Sequence, residues 1–333
     1  MRAPSRSWRV HRLGTPAEAL RLDGVEARPP GPGEARVAVG AIGLNFPDLL
    51  VCAGHYQERP EPPFSPGFEA AGTVVEVGPG APVAVGQQVT IVPELPDGAF
   101  QETLTAPGDQ LYPVPASMPV TVAAVLHVAY QTAHVALHHR ARLRAGDTLV
   151  VTGAAGGVGM AAVQLGRAAG ARVVAVVTGA AKVAACLAWG ADVVVDLEQG
   201  GLLGQLRAAV GPGGADVVVD NVGGGAFDDL RRVVAFEGRL VVVGFTAGGV
   251  GTVAANHVLL RNYSVVGLHL ARYRREDPEL LRRVHAELVG LWERGVIEPA
   301  IHRILPFEEA VDGLAMIARR QTIGRVVLVP PGG

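Results

Sequence analysis

The distribution of hydrophobic and polar positions changes once along the chain, near residue 120. Before that point, residues 34–112 hold short β-type runs, such as AAGTVVEVG at 70–78, separated by turns rich in glycine and proline. Many short strands with this punctuation predict an antiparallel, barrel-like β domain. The stretch 60–67 carries four prolines. It predicts an extended surface loop, because proline fits neither a helix interior nor a strand ladder.

After that point, an apolar stripe predicts a helix over 121–139, and β-branched runs then alternate with helical segments. The predicted strands are 149–151, 173–177, 193–195, 217–219 and 240–243, and the predicted helices are 157–169, 180–189, 202–210 and 226–235. Unbroken apolar strands are typical of parallel sheets covered on both faces. The alternation therefore predicts an α/β fold with a doubly wound parallel sheet. The heptapeptide GADVVVD, at 190–196 and 214–220, predicts the same helix stop and strand in both places.

From about residue 263 the chain leaves this series. Asp277 followed by Pro278 predicts the start of a helix. Pro306 predicts the start of another helix that runs to about Arg320, and a strand is expected over 325–329. We expect this tail to pack on the N-terminal β domain. The predicted boundaries are 1–120 and 264–333 for the β domain and 121–263 for the parallel-sheet domain.

Composition narrows the classes of function. Of the 333 residues 18% are charged, the net charge at pH 7 is −2, and no block of Lys or Arg predicts binding to nucleic acid. Cys52 and Cys186 lie far apart, which excludes a disulfide scaffold and an all-cysteine zinc site. Two windows without Asp, Glu, Lys or Arg, 148–166 and 240–260, approach the length of a membrane span, but their glycine clusters predict buried strand–turn–helix units. We expect a cytoplasmic protein without a membrane partner.

A glycine-rich segment follows the first predicted parallel strand and opens a helix. In TGAAGGVG at 152–159, Gly156 allows backbone N–H groups to approach a pyrophosphate, and Gly159 allows tight contact between helix and strand. The helix N-terminus adds a positive dipole end. The segment therefore predicts a dinucleotide site with a tight structural turn as the alternative, and its predicted contacts are Ala155, Gly156, Gly157, Val158 and Gly159.

The end of the second parallel strand bears on the choice of dinucleotide. Folds that select NAD place an acidic residue there for the ribose 2′-hydroxyl, and this chain has Val177. Thr178 offers a hydrogen bond, and Lys182, the one lysine of the chain, offers a compact positive charge for a 2′-phosphate. These residues predict NADPH as the cofactor. The alternative for Lys182 is a solvated surface residue.

Three segments, in the same order, resemble the medium-chain dehydrogenase/reductase superfamily, in its zinc-independent quinone oxidoreductase (zeta-crystallin-like) branch. They are GLNFPD at 43–48, PGFEAAGTVVEVG at 66–78 and TGAAGGVGMAAVQLG at 152–166. The resemblance covers nearly the whole chain and implies a GroES-like catalytic domain, formed by 1–120 and 264–333, around a Rossmann NADPH-binding domain. The zinc branch has a cysteine in the segment matching 43–48 and a histidine in Gly-His-Glu. This chain has Asn45 and Phe68 in those segments, so no metal is expected.

The resemblance also implies site residues. Residues matching Asn45, Asp48 and Tyr56 line the pocket near the nicotinamide: Asn45 is expected to donate to the substrate carbonyl or the cofactor amide, Tyr56 to donate to a developing enolate, and Asp48 to organise Asn45. Further cofactor contacts are expected at Tyr130, Thr132, Asn221, Val222, Phe245 and Arg325, the last reaching a phosphate. His134 and His138, at i and i+4, invite a metal site. They lack a third ligand nearby, and we expect surface or capping histidines.

These observations favour an NADPH-dependent reductase of quinones or α,β-unsaturated carbonyl compounds. Without a Lewis acid, a simple alcohol is hard to deprotonate, whereas hydride addition to a conjugated acceptor is easier. Neutral hydrogen-bond donors can then stabilise the charge that develops on the acceptor's oxygen. An enoyl-thioester reductase of the acryloyl or crotonyl type is the second hypothesis, and a non-catalytic NADPH-binding protein is the third. The run 263–268 predicts an edge strand that needs covering, so a homodimer through this edge is expected.

Overall fold

The computed structural model describes residues 5–331, so the outermost ends of the predicted β domain, 1–4 and 332–333, lie outside the described residues. The chain divides into two units: the first comprises Met1–Val128 and Pro299–Gly333, and the second comprises Ala129–Glu298. An antiparallel-rich β unit and a parallel α/β unit together give the α/β fold class that the sequence predicts.

Strands and α-helices follow one another along the described residues. In chain order they are β1 (Ser5–Val10), α1 (Pro16–Ala19), β2 (Leu20–Val25), β3 (Glu34–Leu44), α2 (Phe46–Cys52), β4 (Ala70–Val77), β5 (Gln88–Ile91), β6 (Thr103–Pro107), β7 (Leu111–Pro113), α3 (Val120–His134), β8 (Thr148–Thr152), α4 (Gly157–Ala168), β9 (Arg172–Val177), α5 (Ala180–Ala188), β10 (Val193–Asp196), α6 (Leu202–Val210), β11 (Ala215–Asp220), α7 (Ala226–Arg231), β12 (Val234–Val242), α8 (Ala255–Arg261), β13 (Ser264–Gly267), α9 (Leu270–Glu276), α10 (Pro278–Glu293), β14 (Ile301–Pro306), α11 (Ala310–Ala318) and β15 (Arg325–Val329). The π-helical turn Val135–Arg140 continues α3.

The first unit is built around the long strand β3. Its sheet has the order β14-β15-β3-β4-β5-β7, β6 also pairs with β3, and β1 and β2 form a separate antiparallel pair. Strand β15 pairs antiparallel with β3, so the C-terminal strand completes the sheet, as predicted. A 3₁₀ turn, Phe307–Glu309, follows Pro306 directly and leads into α11, as predicted, whereas strand β14 was not predicted. The reason is that β14 is a largely exposed edge strand with little apolar pattern.

The second unit contains a six-stranded parallel sheet with the order β10-β9-β8-β11-β12-β13. From β8 the chain moves outward through β9 and β10 and then returns to β11 on the other side. The carboxyl ends of β8 and β11 therefore flank a topological switch point, where open α/β sheets bind ligands. Strand β13 lies at the edge, as predicted, and α7 ends at Arg231 rather than near 235 because Val234 already pairs with Ala215.

The two units divide the chain at other points than the predicted boundaries at 120 and 263. The second unit begins within α3 and extends to Glu298. The segment after 263 stays in this unit because β13 adds to the parallel sheet beside β12. In addition, the Gln131 side chain on α3 donates to the Leu281 carbonyl of α10 at 2.9 Å. Of the residues after 263, only those from Pro299 onward belong to the first unit.

One helical stretch among residues 5–331, Val120–Arg140, is long and apolar enough to cross a bilayer, with a mean hydropathy of 1.4 in its most apolar window. Of that window 72% is buried inside the protein. Core helices of soluble proteins pass the same test, so this is weak evidence for a membrane span. The two uncharged windows noted in the sequence contain β8 with most of α4, and the end of β12 with most of α8.

Candidate functional site

The predicted phosphate cradle of the second unit is a tight turn between β8 and α4. Gly153 has a φ of +58°, and Gly156 precedes the first residue of the helix. A β-carbon on Gly159 would lie 2.2 Å from the Gly153 carbonyl oxygen, so no other residue fits there without moving the backbone. A β-carbon on Gly156 would lie 3.4 Å from the same oxygen, an ordinary contact. Tight packing therefore requires glycine at 159 and not at 156.

The start of α4 presents donors for an anion. The first N–H groups of a helix have no intrahelical acceptor, and here they belong to Gly157, Val158 and Gly159. The Gly156 N–H is already used, since it donates to the Gly153 carbonyl at 3.0 Å. Ala155 is almost fully buried beneath the turn. The donors and the helix dipole at this point suit a pyrophosphate.

A buried carboxylate organises the other side of the switch point. Asp220 Oδ1 accepts hydrogen bonds from Thr152 Oγ1 at 2.8 Å, the Val222 N–H at 3.0 Å and the Gly223 N–H at 3.1 Å. The Asn221 amide group donates to the Thr152 carbonyl at 2.8 Å. These bonds place Asn221 and Val222 beside the cradle. They leave Asn221 Oδ1 buried without a hydrogen-bond partner, as an acceptor facing no donor.

Phe245 lies beside this turn. A β-carbon on Gly223 would lie 2.8 Å from Phe245 Cδ1, and Gly223 has a φ of +66°. Thr246 Oγ1 donates to the Asn221 carbonyl at 3.2 Å. Phe245 is 39% exposed, so its ring has free surface next to Asn221 and Val222.

The predicted 2′-phosphate residues lie where β9 ends. Val177 closes the strand and is buried, Thr178 is exposed, and Lys182 is half-buried in the first turn of α5. The Gly179 between them has a φ of +96°. Its N–H donates to Asp196 Oδ1 at 2.9 Å. The end of β9 has no carboxylate of its own. Asp196, at the end of the neighbouring strand β10, places one at this turn.

Two predicted cofactor contacts on α3 are buried. Tyr130 is 0% exposed, and its hydroxyl donates to Gln164 Oε1 on α4 at 2.8 Å. Gln164 in turn donates to the Glu298 carbonyl at 2.8 Å. The predicted contact of Tyr130 with a cofactor stays a prediction; in the structure its hydroxyl links α3 to α4 within the second unit. Thr132 is also largely buried.

In the first unit, Asn45 is held by a buried ion pair. Arg325 donates to Glu69 through Nη2 and to Asn45 Oδ1 through Nη1 at 2.9 Å. The Asn45 amide donates to Glu69 Oε1 at 3.1 Å and to the Gly43 carbonyl at 3.0 Å. Glu69 Oε2 accepts the Val128 N–H at 2.8 Å. Burial raises the pKa of Glu69, and the Arg325 charge opposes that rise.

This arrangement bears on two predicted roles. Both N–H bonds of the Asn45 amide already have acceptors, so Asn45 has no donor left for a substrate carbonyl, and only its Oδ1 can take a further bond. The Arg325 guanidinium is 5% exposed and engaged by Glu69 and Asn45 rather than extended toward a phosphate. Arg325 therefore positions Asn45.

Asp48 holds the start of α2. Its Oδ2 accepts the Asn45 backbone N–H at 2.7 Å, whereas Oδ1 is buried without a hydrogen-bond partner. Burial, together with the nearby Glu69, raises the pKa of Asp48 to about 8, against the Asn45 hydrogen bond and the Arg325 charge. Asp48 is 0% exposed. Tyr56 remains half-buried, with its ring edge on Phe68 at 5.1 Å between centroids.

Within residues 5–331, no group of three or more His, Cys, Asp or Glu side chains is placed to hold a metal ion. The expectation of surface histidines is wrong for His134: it is largely buried, and its Nε2 lies 3.0 Å from Glu287 Oε2. The centroids of the His134 and His138 rings lie 4.6 Å apart, with the ring planes tilted by 56°. Burial and His138 lower the pKa of His134 to about 4, although Glu287 opposes this.

Comparison with known proteins identifies the family. Residues 31–116 match the family described as alcohol dehydrogenase GroES-like domain, and residues 157–286 match the family described as zinc-binding dehydrogenase. Quinone oxidoreductase-like protein 2 of Mus musculus is 35% identical over 313 residues, which cover 93% of this chain and 89% of that protein. The chain belongs to the medium-chain dehydrogenase/reductase superfamily.

Two solved structures match nearly the whole chain. Mycobacterial Rv1454c complexed with NADPH has a TM-score of 0.90 at 31% identity, covering 98% of this chain and 100% of that one. Escherichia coli quinone oxidoreductase complexed with NADPH also has a TM-score of 0.90, at 26% identity over 98% and 100% of the two chains. The GroES-like and Rossmann folds that the sequence predicts are confirmed.

Several residues that shape the sites of this superfamily member were not predicted. Glu69 lies in the segment 66–78 and Thr152 opens the segment 152–159, but the sequence did not predict either as a site residue. Asp196 and Asp220 are the final residues of the two GADVVVD copies. That repeat was the available signal, because both copies place a carboxylate at the carboxyl end of a parallel strand.

Proposed function

We propose that the protein is an NADPH-dependent reductase of quinones or α,β-unsaturated carbonyl compounds. One observation carries the proposal: at the switch point of the parallel sheet, Gly159 leaves no room for a β-carbon and opens a helix whose first N–H groups suit a pyrophosphate. Two relatives with the same fold are complexed with NADPH. Their cofactor is what we assign to this chain.

The residues present fit this cofactor. Gly157, Val158 and Gly159 offer N–H donors for the pyrophosphate, and the orphaned Asn221 Oδ1 offers an acceptor for an amide or hydroxyl of the dinucleotide. Thr178 and Lys182 offer a hydroxyl and a positive charge for the 2′-phosphate. When bound, NADPH supplies the hydride for the reduction.

Further candidate site residues lie in the first unit. Tyr56 is the candidate donor to the oxygen on which charge develops, because its ring retains exposed surface while the Asn45 donors are occupied. The Arg325–Glu69 pair fixes Asn45 Oδ1 as an acceptor. Asp48, with its raised pKa, retains its proton at neutral pH and holds the Asn45 backbone.

The test is NADPH oxidation with 1,4-benzoquinone, a simple enone and crotonyl-CoA, assayed in parallel with the same enzyme preparation. Turnover of the quinone or enone with a higher kcat/KM than that of the thioester is expected. A preference for crotonyl-CoA would favour the enoyl-thioester reductase instead. Tight NADPH binding without turnover of any acceptor would favour a non-catalytic binding protein.

We also propose a cytoplasmic homodimer that joins through the edge of the parallel sheet. Strand β13 is the edge, and the adjacent helix α8 exposes Leu259 and Leu260, an apolar surface that a second copy would cover. Both cysteines are free and buried, which is compatible with a reducing compartment. A monomeric mass by light scattering at micromolar concentration would reject the dimer.

A further inference from the structure

The loop between β9 and α5 is tied to the end of strand β10 by one carboxylate. Asp196 Oδ1 accepts the Gly179 N–H at 2.9 Å and the Glu198 N–H at 3.1 Å. The Asp196 carbonyl accepts from the Gln205 side chain at 3.1 Å, which anchors this residue to α6. In the strand register Asp196 lies opposite Val177, the last residue of β9. Asp196 therefore adjoins Thr178 and the first turn of α5, which carries Lys182.

We propose that Asp196 positions the Thr178–Gly179 turn and that its negative charge limits the preference of this enzyme for NADPH over NADH. The inference rests on the proposed function, because it assumes that the dinucleotide binds at the cradle with its 2′-position near this turn. Asp196 is thus a specificity-determining residue at the end of β10, the third strand of the βα series, rather than at the end of β9, the second.

The other copy of the heptapeptide supports the positioning role. Asp220 ends the second copy, as Asp196 ends the first, and accepts two backbone N–H groups of the turn that follows β11. The earlier aspartates of the copies are also equivalent: Asp192 accepts the Val173 N–H and Asp216 accepts the Thr148 N–H, both at 2.7 Å. The repeat thus uses a carboxylate at each end of a strand to hold neighbouring backbone.

The charges around the turn support the specificity role. Hydrogen bonds from Gly179 and Glu198 lower the pKa of Asp196, so it is ionised at neutral pH. Glu198 Oε1 lies 3.4 Å from the place where a β-carbon on Gly179 would stand, which puts a second carboxylate at the same turn. Lys182 opposes these charges. A phosphate bound here is therefore attracted by Lys182 and repelled by Asp196 and Glu198.

The experiment separates charge from position with two substitutions. Asp196→Asn keeps an Oδ1 acceptor for both N–H groups and removes the charge, whereas Asp196→Ala removes both. Binding of 2′,5′-ADP and of 5′-AMP is measured by calorimetry on the whole protein, beside kcat/KM with NADPH and NADH. The control is Asp192→Asn, which removes the same charge from the other end of β10, about 13 Å along the strand.

For Asp196→Asn we expect the Kd of 2′,5′-ADP to fall about three- to tenfold, as for one unit charge near a partly solvated phosphate, with the Kd of 5′-AMP unchanged. The NADPH/NADH ratio of kcat/KM should rise by the same factor, and the gain should shrink at high salt. Asp196→Ala should weaken 5′-AMP binding at least about threefold, because the turn loses its anchor. Asp192→Asn should change neither ligand.

Two results would overturn the inference. An unchanged 2′,5′-ADP affinity in Asp196→Asn removes the specificity role, and an unchanged 5′-AMP affinity in Asp196→Ala removes the positioning role. If the unaltered enzyme oxidises NADPH and either result is found, only this inference fails. If the unaltered enzyme binds neither NADPH nor 2′,5′-ADP, the proposed function fails as well.

Discussion

Arg325 Nη1 donates a hydrogen bond to Asn45 Oδ1 at 2.9 Å, although the two residues are 280 positions apart in the sequence. The same guanidinium pairs with the fully buried Glu69, which accepts the Asn45 amide. The last strand of the chain thus fixes the orientation of a side chain at the start of α2. In this orientation both N–H bonds of the Asn45 amide are used, and only its Oδ1 can accept a further hydrogen bond.

Removing one partner of this ion pair leaves the other buried and uncompensated. Arg325→Met should therefore lower the free energy of unfolding by about 3–5 kcal/mol, measured by urea denaturation. The matched control is Arg28→Met, which breaks the exposed pair with Glu34 and should cost at most about 1 kcal/mol. Equal losses in the two variants would contradict the assigned role of Arg325.

Gly159→Ala tests the cradle. Its β-carbon would lie 2.2 Å from a backbone oxygen, so the turn must shift, and NADPH affinity should fall at least about tenfold in fluorescence titration. Gly204→Ala in α6 is the control, because nothing lies within 4 Å of its β-carbon position. It should leave affinity unchanged and stabilise the helix by about 0.5–1 kcal/mol. Normal NADPH affinity in Gly159→Ala would show that the cradle does not hold the cofactor.

Lys182→Ala tests the assignment of the 2′-phosphate. Loss of the one positive charge in the first turn of α5 should lower the NADPH/NADH ratio of kcat/KM about tenfold. Arg207→Ala, an exposed basic residue on α6, should leave the ratio as it is. A ratio that does not change in Lys182→Ala would mean that the phosphate binds elsewhere.

The pKa of Asp48 predicts a pH dependence of stability. Its folded pKa is raised to about 8, so the folded state binds a proton that the unfolded state releases above about pH 4. Stability should therefore fall as pH rises from about 4 to 8. Asp48→Asn cannot ionise, so its free energy of unfolding relative to the unaltered protein should be higher at pH 8 than at pH 5. Urea denaturation at both pH values measures this, and an identical difference at the two would contradict it.

The parallel sheet could be predicted from the sequence because its strands contain short runs rich in valine, and those of the central strands β8, β9 and β11 are buried. Gly159 could be predicted from its spacing after a strand. Strand β14 could not, since its mostly exposed residues carry no clear alternation. The boundary at 298 also escaped prediction, because β13 looks like any short strand until its parallel pairing with β12 is known.

The hydrogen-bond partners of the predicted site residues could not be predicted where they lie far away in the sequence. Asn45 resembled a donor in a turn, but Glu69 and Arg325, 24 and 280 positions away, already occupy its amide. Tyr130 matched a position near a cofactor, but Gln164 binds its hydroxyl. Such competition for hydrogen bonds depends on the folded arrangement, and local sequence does not report it.

The most direct test of the central claim is the initial rate of 1,4-benzoquinone reduction with NADPH and with NADH, measured on the unaltered enzyme after treatment with a chelator. The account predicts turnover that survives chelation, with a higher kcat/KM for NADPH than for NADH. Loss of activity on chelation that returns with added zinc, or a higher kcat/KM for NADH, would contradict it.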